Sequence, residues 1–266
     1  MRPIARFLTA LALLSICPAS PALADFKKGM AAYEAGDYTT ALKEWRPLAE
    51  KGNTDAQYGL GLIYDSGKGV PQDHTEAARW YRKAAEQGLS SAQSNLGVLY
   101  ASGEGITQDY AEAAQWYRRA AEQEYAMAQF NLGVLYEKGQ GVKQDYAEAI
   151  HWYRRAAEQG DTDAQSNLGL LYAKGQGVPQ SYAKAVRYYR MAAEQGDTDA
   201  QSSLGLLYAN GQGAVKDVVQ AHLWLSLAAA QGNKSAAKER ALLAKKMTPD
   251  QLTQAHKLAR GWKPKK

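Results

Sequence analysis

Five glycine-rich stretches are the first candidates for chemistry in this 266-residue chain. They read GKGVPQD (67–73), GEGITQD (103–109), GQGVKQD (139–145), GQGVPQS (175–181) and GQGAVKD (211–217). A phosphate-binding loop of the Walker type needs a lysine followed by a hydroxyl residue where the loop enters its helix. None of the five stretches contains that pair. We therefore interpret the glycines as turns between structural elements.

A second candidate for chemistry is the Ser-x-x-Lys pattern, which occurs at 181–184 and at 235–238. In serine β-lactamases and penicillin-binding proteins the serine of this pattern is the nucleophile. The companion Ser-Asp-Asn and Lys-Thr-Gly elements are absent from the sequence. Ser181 also stands where the other four glycine-rich stretches end in aspartate. A helix-capping serine is therefore the better interpretation.

Metal ligands and thiols are scarce in the sequence. The four histidines are far apart along the chain, at His74, His151, His222 and His256, and none forms a pair with ligand spacing. The single cysteine is Cys17. We expect no catalytic residue, no metal site and no cofactor.

The first 24 residues have the pattern of a secretory signal peptide. Arg2 and Arg6 precede an apolar run over 7–16, and residues 22–24, Ala-Leu-Ala, form a small-x-small cleavage signal. We predict cleavage after Ala24 and a periplasmic or secreted protein. Cys17 lies inside this segment, so the mature chain would carry no thiol. No later stretch is apolar and long enough for a membrane span.

The formal charge of +5 does not indicate a nucleic-acid-binding protein. Residues 25–244 contain 23 basic and 26 acidic side chains, so the body of the chain is slightly acidic. The basic excess follows Lys245 and ends in the tail 263–266, Lys-Pro-Lys-Lys. A nucleic-acid-binding protein carries its basic residues in a stripe along the body. We expect no nucleic-acid partner.

A period of 36 residues organises most of the sequence. Ala56, Leu60, Gly61 and Tyr64 each recur four times at that step, and the aromatic position of Trp80 recurs as Trp116, Trp152, Tyr188 and Trp224. Within each period the apolar residues follow helical spacing on both sides of the glycine-rich stretch. Each repeat is therefore predicted to form a helix, a glycine loop, a second helix and a short turn.

Local signals mark the ends and contacts of these predicted helices. Asp73, Asp109 and Asp145 stand at cap positions, and each is followed three residues later by a glutamate, as in a capping box. The first glycine of each loop suits a left-handed helix end. The glycine inside each first helix, such as Gly97, indicates a close approach of two helices.

Residues 92–121, AQSNLGVLYASGEGITQDYAEAAQWYRRAA, resemble the Sel1-like repeat family, a relative of tetratricopeptide repeats. The resemblance implies an all-α fold, a right-handed α/α superhelical solenoid. Its five hairpins would span 53–88, 89–124, 125–160, 161–196 and 197–232. Residues 25–52 resemble a tetratricopeptide-type capping hairpin that turns at Gly36-Asp37, and 233–262 would supply two capping helices, the last with Thr248 as its cap and Pro249 in its first turn. Fourteen helices are expected in all.

Three departures from the repeat pattern are expected to have structural consequences. Glu124 replaces a turn glycine, so that turn should close differently from its counterparts. Ser181 replaces a capping aspartate, and Leu225 stands where the other repeats have tyrosine. Some relatives link each hairpin by a disulfide, whereas this chain must rely on packing.

The resemblance also implies a binding groove lined by the first helix of each repeat. The asparagines Asn95, Asn131 and Asn167 could bind a peptide backbone there, or they could brace neighbouring helices. Tyr58 and Phe130 replace the serine of the other repeats and are predicted as aromatic anchors.

Two further patterns have competing interpretations. The recurring Trp-Tyr pairs could form an aromatic platform for a carbohydrate or nucleotide, but their helical spacing favours core packing. The basic pairs that follow them, such as Arg118-Arg119, could bind an acidic partner or form a solvated ridge.

The sequence therefore predicts an exported, non-catalytic scaffold that binds a protein or peptide in the cell envelope. Two alternatives stay open. The chain could be an envelope enzyme acting on peptidoglycan or β-lactams, or a purely structural assembly subunit.

Overall fold

The computed structural model describes residues 21–265, and within that range the chain forms fourteen α-helices and no β-strand. The helices are α1 (Pro21–Glu34), α2 (Tyr38–Glu50), α3 (Thr54–Ser66), α4 (His74–Glu86), α5 (Ser90–Ser102), α6 (Tyr110–Glu122), α7 (Ala126–Lys138), α8 (Tyr146–Glu158), α9 (Thr162–Lys174), α10 (Tyr182–Glu194), α11 (Thr198–Asn210), α12 (Val218–Ala230), α13 (Lys234–Ala244) and α14 (Pro249–Gly261). The expected number of helices is confirmed for this part of the chain. The predicted signal peptide, with Cys17, falls almost entirely outside it.

The chain divides into two compact units, with the boundary between Gln87 and Gly88. In the first unit α1 packs on α2, α2 on α3 and α3 on α4. In the second unit each helix from α5 to α12 packs on the next, and α12 also packs on α13 and α14. Such consecutive packing is that of a solenoid of helix hairpins, which confirms the expected fold class. None of the described helices is long and apolar enough to cross a membrane.

Each repeat consists of two 13-residue helices, which we name A (α3, α5, α7, α9, α11) and B (α4, α6, α8, α10, α12). The A helices bury the alanine and leucine of the repeat, such as Ala128 and Leu132. The first three B helices bury two pairs of alanines, or an alanine and Ile150, together with the tryptophan of the aromatic column, such as Trp152. In α10 the equivalent Tyr188 is only partly buried. Trp80, Trp116 and Trp224 are also buried, so these tryptophans are core residues and form no open aromatic platform.

The glycine loops are turns, as the sequence predicts. The first glycine of every loop ends its A helix with φ between 65° and 79°, in the left-handed region. In the last three loops the second glycine, Gly141, Gly177 or Gly213, permits a close contact with the B helix of the preceding repeat. A Cβ atom at Gly141 would lie 2.1 Å from the carbonyl carbon of Tyr110, at the start of α6. The loop therefore also joins successive repeats, which the sequence reasoning did not foresee.

A glutamine near the end of each of the first four loops fixes the loop to the last turn of its A helix. The side-chain amide donates to a backbone carbonyl seven residues earlier, at 2.7–2.8 Å. The four glutamines are Gln72, Gln108, Gln144 and Gln180. In the fifth loop Lys216 takes this position.

The predicted N-caps form. A carboxylate oxygen of Asp145 accepts from the backbone N–H groups of Ala147 (2.8 Å) and Glu148 (3.1 Å), and Asp73 and Asp109 act alike. In a capping box the glutamate would accept from the backbone N–H of the capping residue. Here the Glu148 carboxylate accepts from the Trp152 indole instead (3.2 Å), which differs from the expectation. A complete capping box does form at Thr248, the predicted cap of α14.

The glycines inside the A helices mark close helix contacts, as expected. A Cβ atom at Gly133 would lie 2.7 Å from the ring of Tyr153 on α8. The equivalent contact in the last repeat survives the replacement of tyrosine, because a Cβ atom at Gly205 would lie 2.8 Å from Leu225.

The turn at Glu124 keeps the left-handed conformation of its glycine counterparts, with φ of 61° against 90° to 102° at Gly88, Gly160, Gly196 and Gly232. Its carboxylate accepts from the Gln129 amide (2.9 Å) and from the Arg155 guanidinium. These two contacts hold a side chain at a backbone conformation that normally favours glycine. The turn therefore closes in the same way, with side-chain contacts added.

Candidate functional site

The Ser181–Lys184 pair serves as a helix cap. The backbone N–H of Lys184 donates to the Ser181 hydroxyl at 3.4 Å. The Lys184 ammonium lies 5.1 Å from the centre of the Tyr172 ring instead of beside the serine. This geometry lacks the contact through which a lysine would activate a serine nucleophile.

The histidines do not assemble a metal centre in the described residues, where no group of three potential ligands occurs. His74 pairs with Asp65 through Nδ1 (2.9 Å). His222 is buried on α12, and its ring lies edge-to-face with that of His256 on α14, with centroids 5.2 Å apart. Desolvation, followed by the charges of His256 and Arg240, lowers the pKa of His222.

Two columns of glutamine, one buried and one at least partly exposed, form a hydrogen-bonded ladder that the sequence reasoning missed. The glutamines of the first column lie in the first turn of the A helices. Those of the second column come directly after the last residue of the B helices. In each repeat the second glutamine donates to the first at 2.7–2.9 Å, as Gln159 does to Gln129. Gln129 in turn donates to the Ala121 carbonyl (3.1 Å), which belongs to the preceding B helix. The sequence does contain a signal for this ladder, because both glutamines recur every 36 residues.

Tyr58 is in the core of the first unit. Its side chain is 2% exposed, and its ring lies 5.8 Å from that of Tyr81 on α4. Ser94, at the same position one repeat later, is also buried. The position is therefore buried in the first two repeats, so the prediction that Tyr58 offers an aromatic anchor on an open surface is wrong.

Phe130 occupies the equivalent position in α7 and is half-buried. Its ring lies 5.7 Å from that of Tyr153 on α8. Part of the ring thus packs within the repeat, and the rest is open to solvent. The predicted contact with a partner stays a prediction for this residue.

The asparagine column is half-buried on the A helices of the second unit, at Asn95, Asn131 and Asn167. The Asn167 side chain lies next to the Tyr153 hydroxyl on the preceding B helix, where it acts to lower the pKa of that hydroxyl. The same hydroxyl donates to Glu137 (2.6 Å), and burial, followed by this carboxylate, raises the pKa of Tyr153. Bracing is therefore observed at Asn167, and binding by the column is untested.

A row of exposed aliphatic side chains lies beside the asparagines. Val98, Leu170 and Leu206 are 38%, 37% and 36% exposed, and each follows an Asn or Ser position by three residues on its A helix. Residues three apart are neighbours on a helix surface, so an aliphatic row runs alongside a polar one. Val134 continues the row, half-buried, and Met127 lies next to Asn131 one turn earlier. We name this surface the A-face.

The basic ridge on the B helices is largely engaged within the chain. Arg118 donates to the hydroxyl of Tyr136, and Arg119 stacks over Trp116 at 4.5 Å. Both line a cleft of about 330 Å³ together with Gln115, Glu122 and the loop glycine Gly141. Glu122 adds a negative charge to this cleft. The cleft should therefore attract anions less strongly than the two arginines would by themselves.

Comparison with known proteins shows the family. The model of the Sel1 repeat matches residues 54–89, 90–125, 126–161, 162–197 and 198–233, one residue later than the expected boundaries. No curated protein sequence matches the chain significantly.

Two solved structures are similar over most of the chain. A Sel1 repeat protein from Oxalobacter formigenes is 38% identical, with a TM-score of 0.77 over 88% of this chain and 98% of the other. A protective antigen of uropathogenic Escherichia coli with an SLR fold is 37% identical, with a TM-score of 0.82 over 90% of this chain. The chain spans about half of that antigen, 53% of its length. This protein belongs to the Sel1 repeat family.

Proposed function

We propose that this protein is a non-catalytic scaffold of the bacterial cell envelope that binds a protein or an extended peptide through its A-face. The observation that supports the proposal most directly is the exposed aliphatic row. Three large aliphatic side chains at equivalent repeat positions remain more than one third exposed, whereas the leucine two positions earlier on each of these helices is fully buried. Repeated apolar exposure of this kind is typical of an interaction surface.

The chemistry of the A-face suits a peptide. The aliphatic row offers contacts to apolar side chains, and the asparagine amides beside it can both donate to and accept from a peptide backbone. Members of the Sel1 repeat family are generally protein-interaction scaffolds, which agrees with this assignment. Export through the predicted signal peptide would place the partner in the periplasm or outside the cell.

The alternative of an envelope enzyme has weaker support. Its main motif, Ser181–Lys184, is used as a helix cap, and the lysine side chain lies over Tyr172. An assembly subunit would use the same apolar row for self-association. Light scattering of the purified chain across concentrations distinguishes this alternative, because a scaffold for other proteins stays at one mass.

The test is affinity capture from envelope extracts with the purified chain as bait, followed by mass spectrometry. Replacing Leu170 and Leu206 by glutamine should remove a specific subset of captured proteins, because both side chains are on the exposed row. Val215→Gln is the matched control, since Val215 is 89% exposed but lies in the loop between α11 and α12 and not on an A helix. Equal capture by both variants, with unchanged circular dichroism and Tm, would reject the A-face.

A further inference from the structure

The segment after α14, residues 262–265, folds back onto the body of the second unit. The backbone N–H of Lys265 donates to the Glu194 carbonyl at 2.7 Å. The Lys265 ammonium pairs with the Glu194 carboxylate, also at 2.7 Å. Glu194 is the last residue of α10, 71 positions earlier in the sequence. We name residues 262–265 the tail segment.

Two features of the α10 terminus suit an extended cationic chain. The last carbonyls of a helix lack intrahelical partners, and the tail segment supplies an N–H to one of them. The helix dipole places partial negative charge at this end, which adds to the Glu194 carboxylate in attracting an ammonium group. The tail segment passes next to Gly196, where a Cβ atom would lie at ordinary contact distance, 3.8 Å from Pro264 and 4.0 Å from Trp262.

An aromatic contact completes the docking site. The ring of Trp262 lies edge-to-face against that of Trp224 on α12, with centroids 6.3 Å apart. Such aromatic pairs add to the stabilisation that comes from the buried area. The tail segment thus binds through an aromatic side chain, a backbone N–H and a lysine ammonium group. Two residues, Lys263 and Pro264, separate Trp262 from Lys265.

We propose that the surface formed by the end of α10 and Trp224 is a second peptide-docking site, which the tail segment fills in the isolated protein. Its partner is an extended peptide with an aromatic residue followed three positions later by lysine. Binding of that peptide displaces the tail segment. This inference deepens the proposed function but uses a surface separate from the A-face, so either can fail alone.

Competition by the tail segment determines the expected affinities. The tail segment lies in its site in the structure, and a short flexible tether gives it an effective concentration on the order of millimolar, against which an added peptide must compete. The apparent affinity for an added peptide falls in proportion to the fraction of free sites. Weakening the tail segment should therefore strengthen peptide binding.

The experiment measures fluorescence anisotropy of a labelled, end-blocked peptide, Gly-Trp-Lys-Pro-Lys-Lys, with the full chain. The variant Lys265→Glu introduces repulsion from Glu194 and should bind the peptide about tenfold more tightly than the unmodified chain. Adding Glu194→Lys to this variant should abolish the gain. Glu122→Lys is the matched control. Glu122 is the last residue of α6, as Glu194 is of α10, but Glu124 stands at the position that corresponds to Gly196.

A second readout follows the tail segment itself. In the chain labelled with ¹⁵N-lysine, the Lys265 amide should be protected from hydrogen exchange and lose protection when peptide is added. Protection that persists at saturating peptide overturns the proposal, because the peptide would then bind elsewhere. Equal weakening of peptide binding when Glu194→Lys or Glu122→Lys is added to the Lys265→Glu variant also overturns it, as would unchanged affinity in Lys265→Glu.

Discussion

At the scale of single residues, the glycines inside the A helices carry a steric role that can be tested. Gly133 lies against the ring of Tyr153, and an added Cβ atom would come within 2.7 Å of it. The contact atoms belong to a buried ring with no free space, so α7 and α8 would have to move apart. Overpacking of this kind costs about 1–3 kcal/mol.

We therefore expect Gly133→Ala to lower the free energy of unfolding by about 1–3 kcal/mol, measured by urea denaturation. Gly261→Ala is the control, because Gly261 is helical and a Cβ atom there would meet nothing within 4 Å. The control should be neutral or slightly stabilising, since alanine is the better helix former. Equal effects of the two substitutions would contradict the steric role.

Glu124 gives a prediction about pH. Its contact with Arg155, and then that with Gln129, lowers the pKa of the Glu124 carboxyl. A carboxyl whose pKa is lowered by folding stabilises the protein above its unfolded-state pKa, about 4.5. The stabilisation is lost as the pH falls below that value through the folded-state pKa.

Glu124→Gln should therefore lower Tm at pH 7, and the difference from the unmodified chain should shrink as the pH falls from 5 to 3. Thermal melts across this range measure the difference. Added salt should reduce it at pH 7, because Glu124 is an exposed partner. A difference independent of pH would mean that the backbone, and not the charge, is responsible.

At the scale of helices, the sequence predicted most elements because their signals are local and repeated. The caps at Asp145 and Thr248 and the glycine helix ends depend on residues within one turn of the chain. The facing direction of Tyr58 was harder to infer, because serine in the equivalent repeats is compatible with both buried and exposed positions. The glutamine ladder joins residues 30 positions apart, so no helical pattern reveals it.

The ladder predicts that substitutions in its two columns lower the free energy of unfolding by different amounts. Gln129 is 0% exposed and bonds to the Ala121 carbonyl, whereas its partner Gln159 is half-exposed. Removing a buried partner leaves the remaining groups unsatisfied, at about 1–3 kcal/mol for each group. Water can replace a partner that is exposed.

Gln129→Ala should therefore lower the free energy of unfolding by about 2–3 kcal/mol, and Gln159→Ala by less than about 1 kcal/mol. Chemical denaturation of both variants gives the comparison. If the two substitutions cost the same, water reaches both columns, and the ladder is not a buried link between helices.

At the scale of the whole molecule, stability in a stacked array depends on what each helix buries against its neighbours. Within the second unit this burial is uneven. Helix α8 buries six residues, whereas α13 buries only Ala236 and α14 only Ala255. The capping helices therefore have less apolar contact to lose when they open.

Hydrogen exchange should reveal this gradient, because segments with few buried contacts open at lower free energy than the core. We expect amides in α13 and α14 to exchange at least about tenfold faster than those in α7 and α8, measured by mass spectrometry of peptides from the intact chain. Gly133→Ala should accelerate exchange in α7 and α8, which contact Gly133 and Tyr153, and change α14 little. The contrary result would be equal protection from α7 to α14 and equal acceleration of exchange across these helices in the variant. It would show that the second unit opens as one cooperative body. Its stability would then not be a sum of contacts between neighbouring helices.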